Sequence, residues 1–545
     1  MNKKNCKITK KEFVLSDKDL DYYKNIAVPN PSLCPEERLR RRLAFRNERN
    51  LYKRTSDLSG ASLLSMYHPD LPYPVYTKDE WLSDKWNPFD YGKDIDWDKS
   101  LFEQFYELQK TVPRTNLMIV NDENSEYCNY VGSIKNCYLC FGSIVIEDCM
   151  YGNPYYSKNC IDCFLIRNSE LCYECIDCDK LYGCIYLQDC YGCSDCFLSY
   201  DLRSCRNCFG CVGLRNKEYY VFNTQYSKEE YEKFIKDFSF CDKDKFKMAK
   251  QKLAEIKLQH PHRASVHINC DNVTGNYIFN SKNCSNSFQI FENEDCSFNI
   301  QTTTSKDCYD MNYTEENELC YEYIGNYRNN LVGFSLFCYG CNDVWYSDYL
   351  HNCKNCFACC GLKNAQYCIL NKQYTKDEYE DLKNRLIKLM VKHQEWGEFF
   401  PIKYSPFAYN ETIANDYFPL NKEDALSRGY RWREKDKSEF KESRHKIPDD
   451  IENVDESICD EVLSCELSGR NYRITKSELK FYKRMKLPVP KKHFFERHKE
   501  RWNKRLPYKT YDRKCDKCST DIQTSYSPQR PETVYCEKCY LETVL

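Results

Sequence analysis

The chain has 545 residues, with 80 Lys and Arg against 82 Asp and Glu, and 37 cysteines. That length calls for several domains, and a net charge of −2 excludes a chain-wide nucleic-acid or membrane signature, so any such signal must be local. Aromatic residues at 15% exclude a disordered chain, and no apolar run approaches ~18 residues, so no membrane span is expected. The charged start, "MNKKNCKITKK", lacks the apolar run of a secretory leader, so none is expected. A cytoplasmic location is therefore expected, with cysteines kept as thiols or metal ligands rather than disulfides.

Residues 1–100 read as a small module. Within it "PEERLRRRLAFRNERNLYKR" (35–54) predicts a basic helix with Arg38, Arg42 and Arg46 one turn apart. Three readings fit such a stripe: contact with nucleic-acid phosphates, a solvated surface face, or a clamp onto acidic parts of the solenoid. Cys6 and Cys34 form a weak metal candidate, because two ligands do not hold a structural ion.

A twelve-residue beat follows. Cys160, Cys172, Cys184, Cys196 and Cys208 keep it in one stretch, and Cys284, Cys296, Cys308 and Cys320 in another, continued by Val332, Val344 and Cys356. Valine cannot ligate a metal, so the slot asks for a small buried residue. Asn or Asp often precedes it, as in "SKNC", "IEDC" and "SKDC", which suits tight corners. The pattern predicts a mainly β fold, a duplicated β-solenoid, with halves at 101–226 and 266–374. A metal store resembling a metallothionein is the rival for "CYECIDC" and "CFACC"; the interleaved Tyr, Phe, Leu and Ile argue against it.

Each half runs into a helix announced by a capping box, Ser227-x-x-Glu230 and Thr375-x-x-Glu378. The first belongs to a capping segment at 227–265. The second opens 375–432, which continues as an aromatic stretch draped over the solenoid. The halves match at an offset of 148 residues, as "NCFGCVGLRNKEYYVFN" from Asn207 and "NCFACCGLKNAQYCILN" from Asn355. Acidic residues crowd "SKDCYDMNYTEENELCYEYIG" (Asp307, Asp310, Glu315, Glu316, Glu318, Glu322) and leave a carbohydrate-active enzyme as an alternative. Residues 433–457, charged and short of large apolar side chains, read as a linker.

The last module, 458–545, carries the strongest motif, "CDKC" and "CEKC" in "RKCDKCSTDIQTSYSPQRPETVYCEKCY". Two knuckles bring Cys515, Cys518, Cys536 and Cys539 to one tetrahedral ion, a single structural Zn2+ with no open coordination position. A basic helix precedes it, with Arg497, Arg501 and Arg505, and Arg513 adjoins the first knuckle. Cys465 with His493 repeats the weak pair of the first module. Aligning the chain on itself at 459 residues superposes the two termini: Arg38, Arg42 and Arg46 fall on Arg497, Arg501 and Arg505. Ser56, Ser59, Thr77 and Glu80 fall on the four knuckle cysteines, so no zinc is expected in the first module.

The C-x-x-C…VYC-x-x-C-Y segment resembles zinc-ribbon or treble-clef domains, which implies zinc on those four cysteines and two treble-clef-like modules flanking the solenoid. The stretches "EWLSDKWNPFDYGKDIDW", "FEQFYELQKTVPR" and "GEFFPIKYSPFAYNETIA" resemble an uncharacterised Cys- and Tyr-rich family of candidate-phylum bacteria. Its members often carry a CoA-transferase label, for which no motif is present here. Together these readings predict a non-enzymatic zinc-containing binding scaffold. Nucleic acid or a ribonucleoprotein is the expected partner, through the basic modules; a protein partner bound by the solenoid is the alternative.

Overall fold

The structure, a computed structural model, describes residues 2–434, 436–440, 443 and 445–544, and at 326 the backbone alone. It is mainly β, and most strands pair in parallel. Two long ladders dominate. One begins at Ile119–Glu123 and runs through bridges to Glu218–Val221; the other runs from His267–Ile268 to Lys372–Gln373.

Within each ladder a residue pairs with the one twelve positions on: Cys160 with Cys172, Val332 with Val344, Val344 with Cys356, Cys356 with Cys368. The backbone makes this period by turning at every third residue. Asn159, Asp162, Leu165, Asn168, Leu171 and Glu174 all have φ between +47° and +56°. A left-handed residue costs about 1–2 kcal/mol when it is not glycine. Here the cost is offset because each corner places its backbone groups against the adjoining rungs. The N–H of Asp189 reaches the carbonyl of Ile176, and the N–H of Ile176 that of Leu187. Asn and Asp suit such corners, which accounts for their place before the cysteine slots.

The same period of three selects the interior. Cys172, Cys175, Cys178, Leu181, Cys184, Leu187 and Cys190 are all buried in one core whose buried members are cysteines and aliphatic residues. Cysteine suits so narrow a space because it is small and its S–H can donate weakly to a carbonyl. Cys172 Sγ donates to the Glu170 carbonyl at 3.3 Å and Cys184 Sγ to that of Tyr182 at 3.3 Å, and the neighbours repeat the pattern. Each ladder has a short rung of eleven residues: in the first, Tyr155 pairs with Ile144 and Ser157 with Ile146, beside Pro154; in the second, His267 pairs with Ile278 and Ile268 with Phe279.

Each ladder ends in an antiparallel hairpin and then a helix, Lys228–Asp237 or Lys376–Lys392. Both predicted capping boxes are formed: the Ser227 N–H donates to Glu230 at 2.8 Å, and that of Thr375 to Glu378 at 2.9 Å. Tyr379, Leu386 and Met390 of the second helix are buried in the largest core cluster, together with Phe357 from the end of its ladder.

The two chain ends share one order of elements. At the start come a hairpin (Asn2–Asn5, Glu12–Leu15), helices Asp17–Asn25 and Pro35–Leu43, a second hairpin (Tyr52–Thr55, Ser62–Ser65) and helix Lys78–Leu82. At the end come Leu463–Ser464 and Asn471–Tyr472, helices Lys476–Met485 and Phe494–Asn503, Tyr511–Lys514 and Asp521–Thr524, then helix Glu537–Val544. Each end thus holds two hairpin-plus-helix units in tandem.

Part of the expected linker, at 435, 441, 442 and 444, lies outside the described residues. Its far end is anchored, because Ile451 and Val454 are buried with Ile458, Leu479 and Tyr482 in the core of the last module. That spacing, three then four residues, is a buried stripe that the surrounding charges hide in the sequence.

Candidate metal centre and interladder cleft

Cys515, Cys518, Cys536 and Cys539 converge. One Sγ from each lies within 4.8 Å of the others, the only such cluster of three or more His, Cys, Asp or Glu ligands among the described residues. Tetrahedral thiolates about 2.3 Å from a zinc ion stand about 3.8 Å apart, and the Cys518 and Cys536 sulfurs are 3.8 Å apart. The first pair sits on the turn after strand Tyr511–Lys514; the second brackets the start of helix Glu537–Val544. The Cys536 N–H donates to Cys515 Sγ at 3.2 Å. The Thr520 hydroxyl and N–H bring Cys518 down to about 6, whereas burial and the three neighbouring thiols push Cys539 up to about 12. A divalent cation reconciles these demands by accepting all four as thiolates. The residues fit a metal ion.

The equivalent place in the first module is closed by a carboxylate. Ser56 Oγ donates to Glu80 at 2.5 Å, and the Thr77 N–H donates to the same oxygen at 3.0 Å. Burial works against the charge, but hydrogen bonds from Ser56, Ser59 and Thr77 bring Glu80 down to about 2. The weak pairs occupy the same position in the other two hairpin-plus-helix units. Thr9 Oγ1 lies 3.9 Å from Cys34 Sγ, and burial raises Cys34. Burial opposes ionisation of Cys6 too, yet the Thr9 hydroxyl and the N–H groups of Cys34, Thr9 and Ile8 bring it to about 7. The Ser468 N–H donates to Cys465 Sγ at 3.5 Å, and His493 Nδ1 accepts from Phe495, a cap that takes this nitrogen away from any metal. Burial, then Arg470 and Arg497, pull His493 down to about 3. The same spacing thus recurs four times, at 6/9/34/37, 56/59/77/80, 465/468/493/496 and 515/518/536/539, although Glu37 turns away to Arg40 at 3.1 Å. The sequence reading missed Thr9 and Ser468, although each stands three residues after its cysteine, the spacing of the knuckle itself.

The six arginines are placed by burial, although helices Pro35–Leu43 and Phe494–Asn503 end before Arg46 and Arg505, which lie just beyond them. Arg38 and Arg42 are 1% and 0% exposed and meet the second ladder. Arg38 Nε donates to Asp310 at 2.9 Å, and Arg42 donates to Asp310 at 3.1 Å and to Glu322 at 3.0 Å. Arg497 and Arg501 meet the first ladder in the same way: both pair with Asp162, and Arg501 reaches Glu174 at 2.7 Å. Asp162 and Asp310 are 148 residues apart, as are Glu174 and Glu322. Arg505 pairs with Asp177 at 2.8 Å, whereas Arg46 turns to its own neighbour Glu48 at 2.7 Å and lies between the rings of Tyr130 and Tyr313, 4.0 and 4.3 Å from their centroids. All six guanidiniums are buried and ion-paired, five to the ladders and Arg46 within its own module. Arg513 is half-buried in character and pairs with Asp516 at 3.3 Å. Of the acidic cluster, Asp310 and Glu322 are thereby neutralised in the clamp and Glu316 is bonded to Arg328 at 2.6 Å.

Each module also adds a strand beside the start of a ladder: Val75–Tyr76 pairs with Arg114–Thr115, and Val534–Tyr535 with His262–Arg263. The first module is thus fixed beside the first ladder and ion-paired to the second; the last does the reverse. Between the ladders lies a cleft of about 660 Å³. One wall carries Tyr155, Arg167, Asp179 and Tyr191, twelve residues apart; the other carries Phe291, Thr303, Glu315 and Tyr327 at the same interval. The ladders touch at its edges, where Gln289 donates to Asp177 at 2.9 Å and Tyr130 meets Phe337 at 5.4 Å.

No family model and no curated protein matches this chain. Among solved structures, a chain named as an acetyltransferase from Desulfovibrio desulfuricans G20 is similar over 50% of this chain and 81% of its own length, at 9% identity and a TM-score of 0.10. A likeness at that TM-score carries no argument. No helix among the described residues is long and apolar enough to cross a membrane.

Proposed function

We propose that the protein is a non-enzymatic, cytoplasmic binding scaffold whose recognition surface is the cleft between the ladders. In this reading the ladders are two β-solenoid halves, and the terminal modules are treble-clef-like clamps that hold them face to face. A structural Zn2+ on Cys515, Cys518, Cys536 and Cys539 stabilises the outermost unit of the second clamp. The observation that carries the reading is the cleft itself: about 660 Å³, with aromatic and polar side chains in register from both halves. Clefts of ~300–1,000 Å³ with this mixed lining suit small ligands. Nucleic acid recedes as the partner, since the arginines expected to meet it are occupied by Asp162, Glu174, Asp177, Glu48, Asp310 and Glu322.

Titration with an uncharged fluorescent dye, Nile red, tests the cleft. One saturable site per chain is expected, lost in Thr303→Trp, which fills the space, and kept in Thr303→Val. A dye site that Thr303→Trp leaves untouched, or no site at all, would overturn the reading. A short RNA duplex added at low salt is expected to give no signal.

A further inference from the structure

The cleft contains an arginine unlike the other buried ones. Arg38, Arg42, Arg46, Arg497, Arg501 and Arg505 each have a carboxylate partner within 4 Å. The guanidinium of Arg167 has none, and none of its N–H groups finds an acceptor among the described residues. Its faces are covered: it lies 3.8 Å from the ring centroid of Phe291 and 4.8 Å from that of Tyr155. Aromatic faces satisfy the π-cloud of a guanidinium but leave its in-plane donors unused. Those donors belong to a residue that lines the cleft.

The opposite wall has the complementary feature. Glu315 stands 148 residues after Arg167, the equivalent position of the second ladder, and lines the same cleft. Its carboxylate forms no hydrogen bond or ion pair among the described residues. Burial, then the charge of Glu316, raises its affinity for a proton, while Arg167 acts in the opposite sense. The two groups sense each other's charge without touching. By contrast, the duplicated carboxylates Asp162 and Asp310 are closed into direct ion pairs with arginines of the terminal modules.

A cation and a carboxylate left unpaired on facing walls, with rings beside them, define a ligand. We propose that the cleft binds a small aromatic zwitterion, its anionic group on Arg167, its ammonium group on Glu315, and its ring among Tyr155, Phe291 and Tyr327. One molecule of this class satisfies both groups at once, which neither a simple anion nor an amine does. A ligand of amino-acid size fits well within ~300–1,000 Å³. The inference rests on the cleft being the recognition surface.

Three probes that share a ring test it: L-phenylalanine, 3-phenylpropionate and phenethylamine, titrated calorimetrically against the full-length protein. Phenylalanine is expected to bind at least about tenfold more tightly than either half-probe, the usual worth of a charge-assisted hydrogen bond. Arg167→Gln should weaken phenylalanine and phenylpropionate by about tenfold and leave phenethylamine unchanged. Glu315→Gln should weaken phenylalanine and phenethylamine and leave phenylpropionate unchanged or tighter. Equal affinities for the three probes, or wild-type phenylalanine binding in both variants, would overturn the proposal. Nile red separates the two levels of failure. If it still reports a site that Thr303→Trp blocks, the cleft reading stands and the zwitterion alone is wrong; if it does not, both fall. Both variants remove an unpaired group, so melting temperatures close to wild type are expected and serve as the check on folding.

Discussion

The two ends of this chain are one design executed twice, and two of the differences between them bear on what holds each end together. At the outer knuckle the last module has four cysteines, where the first has Ser56, Ser59, Thr77 and Glu80. Both solutions satisfy the donors of a tight turn and a helix start, one with cysteine sulfurs that could hold a metal ion and one with a carboxylate. Glu80 accepts from Ser56 and from the Thr77 N–H, so a negative charge occupies the place where thiolates would surround a positive one. The fold of the unit thus does not depend on metal as such. It depends on something at the centre that the surrounding groups can all bind.

The second difference is at the inner edge of the clamp. Arg505 has Asp177, but the residue 148 positions after Asp177 is Gly325. An aspartate cannot return there without disturbance: a Cβ on Gly325 would lie 2.4 Å from the Phe337 ring. Arg46 has accordingly moved to Glu48 and to the rings of Tyr130 and Tyr313. A missing carboxylate has been replaced by a local one together with cation–π contact.

Removing the centre of the outer knuckle should produce the largest contrast. Chelation, or Cys515→Ser, is expected to unfold the last unit, because structural zinc contributes about 10 kcal/mol or more to small sites of this kind. Proteolysis read by mass spectrometry should then cut within 506–544. The same chelator should leave 50–82 protected. Cleavage of both units alike, or of neither, would break the distinction between them. Metal analysis of the untreated protein should return one zinc per chain.

The clamp arginines come next. Arg505→Ala leaves Asp177 buried with only Gln289 as a donor, and stranding a buried charge typically costs about 3–5 kcal/mol. Arg46→Ala leaves Glu48 still bonded to Arg49 at 3.3 Å, so about 1–2 kcal/mol is expected, mostly from lost ring contact. Denaturant unfolding of the two variants measures the difference. Equal losses would mean that Asp177 and Glu48 are not distinct in the way their partners imply.

Much of this was legible in the sequence, and what was not has physical reasons. The twelve-residue beat was readable because a narrow core repeats its small residues, and the valines at 332 and 344 showed that the slot is apolar. The turn at every third residue was hidden, since tyrosines, leucines and phenylalanines occupy many left-handed corners alongside Asn and Asp. The four knuckle cysteines were readable from spacing alone. The arginines were open to three readings, phosphate contact, solvated face or clamp, because a charged side chain does not state its own burial. Yet the deciding signal was present in two offsets, 459 for the arginines and 148 for the carboxylates. Either offset alone is a duplication; taken together they pair Arg42 with Glu322 just as Arg501 pairs with Glu174. The cleft was not legible at all, because its walls come from positions that the beat leaves free to vary.

The smallest expected effect tests what the other cysteines are for. In the ladders the slot asks for volume and, secondarily, for a weak donor. Val344 pairs in register with Cys356 and both are fully buried, so the chain already alternates the two. Val344→Cys should therefore change stability by less than about 1 kcal/mol. Cys296→Val loses a thiol that donates to the Glu294 carbonyl at 3.2 Å. Because S–H is a poor donor and that carbonyl keeps its backbone partner, the Ser305-side neighbour Asp307 N–H at 3.1 Å, about 1 kcal/mol is again the expected limit. Neither change should alter zinc content. Loss of metal from Cys296→Val would mean that ladder thiols ligate after all, and the separation of thirty-odd packing cysteines from four binding ones would fail at its root.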